Sequence, residues 1–254
     1  MRLRSRYRVG PELKFLGNLD MMHLMERSLR RAAIPYALSE GFNPHIKLSM
    51  GTVLPVGLWG ENEYFDLELS QRMDIIDFRQ KLSVALPSCL QLGECQEIND
   101  SAPSLMKIIN AASYVFLLEP PFPSLDKWKE ELLARPSLTV RSRGKKKGLD
   151  KELRTGIYRI EVEQSLNFGR VEIWVAVGEP VNVRYDELGE LLLQTGFTQK
   201  SIAEVFRSGN YIREGSSYLS PLEVRLDKHT SPCGHSGVPP CGVTIKVGGM
   251  RVNK

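Results

Sequence analysis

Four arginines at every second position, Arg2, Arg4, Arg6 and Arg8, alternate with Leu3, Ser5, Tyr7 and Val9 at the start of the chain. A period of two is the pleat of a half-buried strand, and a helix cannot sort these residues onto two faces. Pro11 ends the strand. The next apolar residues, Leu19, Met22, Met25, Leu29 and Ala33, return at three- and four-residue spacing. They predict the core face of a helix from Asn18, a good N-cap, to about Ala33, with Pro35 stopping it.

Residues 46–50 and 63–69 read as strands, and 89–98 as extended chain. Between them, 74–86 reads as a helix with Ile75, Phe78, Leu82 and Leu86 on one face. That order is β-α-β-β-α-β, the ferredoxin-like arrangement. The second half begins similarly, with a strand at 113–119, a break at Pro120-Pro121, a helix over 124–134 and extended chain at 138–140. A basic insertion at 141–148 is expected to be mobile. Strands at 157–164 and 169–177 flank the turn Leu166-Asn167-Phe168-Gly169. Helices over 183–195 and 199–208, with Gly196 as a C-cap between them, and a short strand at 210–213 complete the half. The expected fold class is α+β: two tandem ferredoxin-like modules, residues 1–100 and 110–226, and a disordered C-terminal tail at 227–254, rich in Pro, Gly, Ser and His.

The net charge of +4 hides a strong separation. Residues 1–31 carry eight Lys and Arg against three acids, and residues 135–154 carry eight against two, so the remainder of the chain is negative. Basic segments of this kind favour a polyanion as partner, although loops and solvated faces collect lysine anyway. No apolar run reaches the roughly 18 residues of a membrane span. The N-terminus lacks the apolar core of a signal peptide, so a cytoplasmic protein is expected.

Two places could carry chemistry. On the first helix, Asp20, His23, Arg27, Arg30 and Arg31 line the stripe opposite the expected core face. They suit phosphate oxygens, or form a solvated face with ion pairs such as Glu26 to Arg30. In the loop Ser39–Lys47, Gly41 permits unusual backbone and Pro44 biases Asn43 towards extended chain. Phe42 could anchor the loop in the core or offer its ring to a base. His45 and Lys47, with Ser49, should share one face of the following strand. That set either binds a phosphorylated or polar ligand or forms a rigid turn.

These segments carry a family resemblance. Lys14-Phe15-Leu16, Asn18-Leu19-Asp20, Glu26 to Ala32, Ile34-Pro35, Ser39 to His45, Leu54-Pro55-Val56-Gly57 and Glu63-Tyr64 together resemble the radical-SAM-linked bacterial domain of unknown function. That family is encoded beside, or fused to, cobalamin-binding-type radical SAM proteins, often near RNA-processing and ribosomal genes. The resemblance implies that Asp20, Arg27, Arg30, Arg31, Asn43 and His45 belong to the site. The chain departs from the family with Gly17-Asn18 in place of Ser-His, and with Ile46 where a second proline follows the histidine. The first departure moves weight from catalysis to recognition.

The chain has no Cys-x3-Cys-x2-Cys run for a radical SAM cluster, no P-loop and no dinucleotide fingerprint. Cys89 and Cys95 fall on an expected strand. His229, Cys233, His235 and Cys241 are enough ligands for tetrahedral zinc, but their spacing matches no common finger. No cofactor is expected. The expected function is a non-catalytic RNA-binding or substrate-presenting partner of a radical SAM protein acting on rRNA or tRNA. Its contacts would be Arg27, Arg30, Arg31, Phe42, Asn43, His45, Lys47, Arg143, Lys145, Lys146 and Lys147. An RNA-modifying or RNA-cleaving enzyme using Asp20, His45 and Lys47, and a protein-only adaptor, are the alternatives.

Overall fold

A computed structural model describes residues 1–144, 148–179 and 181–223. The expected tail at 227–254 lies outside the described residues. In chain order the elements are β1 (Arg2–Val9), α1 (Asn18–Arg31), β2 (Leu48–Met50), β3 (Gly60–Glu68), α2 (Ile75–Ala85) and β4 (Leu90–Ile98). A single turn, α3 (Leu105–Ile108), leads to β5 (Ala111–Leu118), α4 (Leu125–Ala134), β6 (Thr139–Arg141) and β7 (Asp150–Glu152). The remainder is β8 (Ile157–Gln164), β9 (Gly169–Ala176), α5 (Tyr185–Gln194), β10 (Ile202–Glu214) and β11 (Ser217–Leu219). The protein is therefore α+β, as its sequence predicts.

One sheet runs through the molecule in the order β4-β1-β3-β10-β5-β9-β8, with β2 added to β3 and β11 to β10. Every pairing is antiparallel except β3 with β10, which meet in parallel at Gly60 and Arg207. The alternation in β1 sends Leu3, Tyr7 and Val9 into a core with Met25 and Leu29 of α1 and Phe78 and Leu82 of α2. A second core gathers Phe116, Trp128, Ile173, Leu188 and Leu192 from β5, α4, β9 and α5, and Leu54 packs against both.

The helix predicted over 199–208 is instead the start of β10. Ile202, Val205 and Phe206 have helical spacing, but the pairing of β10 with β5 shifts register between Ile202 and Glu204 and between Arg207 and Gly209. Two bulges in one strand offset its period of two, and the apolar pattern then imitates a helix. The basic insertion is described only at its ends. Its flanks, β6 and β7, pair as a hairpin held on α5: Arg141 N donates to Glu190 Oε1 at 3.1 Å, and Lys151 Nζ to the buried Glu187 at 2.6 Å. The described part of the insertion thus contacts α5.

The meeting of β3 and β10 is polar and dry. Arg207 is 2% exposed and makes a two-pronged contact with Glu63, Nε to Oε1 at 2.8 Å and Nη2 to Oε2 at 2.6 Å. The carbonyls of Thr52 and Val53 and the side chain of Asn210 complete the set. Burial disfavours the charged guanidinium, but the Glu63 carboxylate outweighs it and holds Arg207 protonated. A side chain at Gly60 would place Cβ 2.5 Å from Glu63 Oε1, an atom already fixed by Arg207.

Tyr7 and Tyr114 are buried beside this pair, and burial raises the pKa of both hydroxyls, that of Tyr7 strongly. Because the folded state holds these protons and the unfolded chain releases them near pH 10, the stabilisation is complete below about pH 10 and is lost as pH rises beyond it. The melting temperature should therefore fall steadily above about pH 10, and Tyr7→Phe should flatten that fall. An identical alkaline slope in wild type and variant would contradict this account.

Candidate nucleic-acid interface

Gly17, in extended conformation, is the N-cap of α1, with Asn18 one residue inside. The buried face is Met21, Met25, Ser28 and Leu29, followed by Ala32. Leu19 is 68% exposed, so the helix is turned away from the face that its apolar residues alone predict. Ser28 can point inward because its hydroxyl donates to Leu24 O at 2.9 Å and because a small side chain lets the helix lie close to the sheet. The opposite side carries Asp20, His23, Arg27, Arg30 and Arg31, all exposed, in the stripe that the spacing predicts. Arg31 Nη2 donates to Ala85 O at 2.6 Å, at the end of α2. Among the described residues, Arg27 and Arg30 form no ion pair, and the Glu26–Arg30 pair does not form.

The other arginine group behaves differently. Arg4 grips Asp66 through Nε at 2.8 Å and Nη2 at 3.0 Å, and Arg2 reaches the same carboxylate at 2.6 Å. Arg8 lies over the Trp59 ring. Two of the four N-terminal arginines, Arg2 and Arg4, are thus held on one internal carboxylate. Arg6, Arg8 and Lys14 are half-buried, and the exposed cations of the first 31 residues lie on α1.

The Ser39–Lys47 loop is the tip of a narrow hairpin. Leu38 bridges Ile46, Ser39 N donates to His45 O at 2.8 Å, and His45 N donates to Ser39 Oγ at 2.9 Å. Ile46 is buried and anchors the neck. Gly41 has φ +128°, a conformation other residues resist, and beyond it Phe42 is fully exposed. Phe42 is therefore no core anchor. Asn43 and His45 are exposed beside it. Lys47 Nζ pairs with Glu68 Oε2 at 3.0 Å, and this hydrogen bond raises its pKa. Among the described residues, no hydrogen bond or ion pair joins Asp20, His45 and Lys47 to one another.

Arg143 is tied down on α5, with its backbone N on Glu187 at 3.1 Å and Nη2 on Glu190 at 3.1 Å. Lys145, Lys146 and Lys147 lie outside the described residues, as do His229, Cys233, His235 and Cys241. No cluster of metal-ligating side chains occurs among the described residues. Cys89 and Cys95 are free and half-buried, and burial pushes the Cys95 thiol up. No helix among the described residues is long and apolar enough to cross a membrane.

These features define a mixed α+β protein on one large, mostly antiparallel sheet, with an exposed cationic helix face and an exposed aromatic hairpin tip. The chain belongs to the DUF2344 family, described as uncharacterized protein conserved in bacteria, which matches residues 2–185. No curated protein matches it. Among solved structures it is similar to a chain of a Cbf5-Nop10-Gar1 complex at 14% identity and TM-score 0.45, over 82% of this chain and 48% of that one. A chain of an H/ACA RNP bound to a substrate RNA containing 2'-deoxyuridine gives 12% identity and TM-score 0.42, over 81% and 46%. An unknown protein from Galdieria sulphuraria gives 13% and 0.24, over 76% and 90%. The chain spans less than half the length of the first two.

Proposed function

We propose that this protein is a non-catalytic RNA-binding or substrate-presenting partner of a radical SAM RNA-modification system in the cytoplasm, with rRNA or tRNA as substrate. The observation that carries the reading is the pair Arg27 and Arg30, exposed on α1 and in no ion pair among the described residues. Guanidinium groups left without internal partners are suited to phosphate oxygens. Asn43 and the ring of Phe42 would meet a base. The radical SAM partner is supported by the sequence resemblance described above.

The architectural part of the proposal is two ferredoxin-like modules, residues 1–100 and 110–226, with 227–254 as an appended tail. It is supported by the pairings β4-β1-β3-β2 and β10-β5-β9-β8, each strand antiparallel to its neighbours, with β6 and β7 inserted in the second.

Affinity for single-stranded RNA should fall with salt by about 0.7 log units per log unit of salt for each phosphate contacted. Replacing Arg27 and Arg30 together with alanine should reduce that slope by about 1.4. Fluorescence anisotropy across a salt series measures both. A flat salt response in the wild-type protein would rule out the RNA reading and leave a protein-only adaptor.

A further inference from the structure

A shallow, open groove between α1 and α2 is lined by Arg31, Ala32, Gln80, Lys81, Val84 and Ala85, and Arg31 also belongs to the arginine stripe. No acidic side chain lines it. Lys81 is exposed and in no ion pair among the described residues. The Arg31 guanidinium is held in place by its bonds to Ala85 O and to Ser28 Oγ, at 2.6 and 3.3 Å, made by Nη2. Its Nε and Nη1 have no partner among the described residues. The carbonyl ends of the two helices would repel an anion, and Arg31 offsets this at Ala85. Gln80 adds a neutral donor, and Val84, Ala32 and Ala85 make the walls apolar.

We propose that this groove receives a phosphate of the bound RNA strand, with Lys81 as its principal cation and Arg31 and Gln80 beside it. The inference rests on the RNA-binding reading and extends the path of the backbone from Arg27 and Arg30 on α1 onto α2. Lys81 is thus a binding residue that neither the spacing on the first helix nor the family resemblance includes. An acidic protein segment is the other occupant these cations suit, and a wild-type RNA salt slope in Lys81→Gln would point to it.

The full chain is titrated against a fluorescein-labelled single-stranded RNA oligonucleotide over a range of salt concentrations. Lys81→Gln should lower the salt slope by about 0.7, the loss of one single-strand phosphate contact. Lys81→Arg should keep the wild-type slope. Lys200→Gln, an equal charge loss at an exposed site in the second half, should leave it unchanged. Unchanged melting temperatures in all three would confirm that folding is intact. If Lys81→Gln leaves the slope at the wild-type value, the groove proposal is overturned while the RNA reading stands. An equal loss for Lys200→Gln would overturn it too, because the effect would be one of overall charge. Absence of salt-dependent RNA binding in the wild-type protein would overturn the reading and the groove together.

Discussion

Glu63→Ala should destabilise the protein by about 3–5 kcal/mol, the cost of leaving a buried partner charge unpaired. Arg207 cannot turn to solvent, because Thr52 and Val53 hold its other nitrogens and its side chain is enclosed where β3 and β10 meet. Total stabilities of about 5–15 kcal/mol are typical, so the loss should be a large fraction of the whole. Urea denaturation followed by circular dichroism measures the loss. The paired replacement Glu63→Leu with Arg207→Met should cost less than Glu63→Ala alone, since an apolar pair leaves no orphaned charge. If the double variant is the less stable of the two, the cost lies in lost shape rather than in the unpaired guanidinium. Glu94→Ala, at an exposed carboxylate 4.0 Å from Arg6, should stay within about 0.5 kcal/mol of wild type.

Phe42→Ala should weaken RNA binding by about 1–3 kcal/mol, roughly 5- to 150-fold, if one base stacks on the ring. Its melting temperature should not move, because Phe42 touches no core and the hairpin neck is set by Ser39, His45 and Ile46. Phe42→Trp should retain the affinity, and Phe42→Leu should lose most of it despite similar apolarity. Equal binding by wild type and Phe42→Ala would remove the base-contact role and leave the tip as a protein-docking element. Filter binding and thermal melts on the same preparations separate affinity from stability.

Local periodicity made some of this molecule legible. The alternation of β1 and the spacing of Phe78 and Leu82 on α2 place those side chains in the core where the sequence predicts. Arg27 and Arg30 are exposed, as their place opposite an apolar face requires. What escaped has a common cause in pairings distant along the chain. Nothing near Arg2 and Arg4 announces Asp66, so the arginine-rich N-terminus reads as a polyanion surface when two of its four arginines are held internally. Nothing near Arg143 announces Glu190. The bulges of β10 hide its strand period, and Ser28 turns α1 by presenting a hydroxyl that its own helix satisfies. The groove residue Lys81 reads as an ordinary solvated lysine, because its concavity exists only once α1 lies beside α2.

The place of β10 has a consequence for the order of assembly during synthesis. This strand lies between β3 and β5, yet among the described residues it is the last long strand in chain order. Until β10 is made, the two preceding groups of strands have no shared partner, and β5 keeps the edge that β10 covers along its length unpaired. Long-range pairings of this kind close slowly, and open edges invite pairing with other chains. A chain cut short before β10 should therefore aggregate more readily than the full chain.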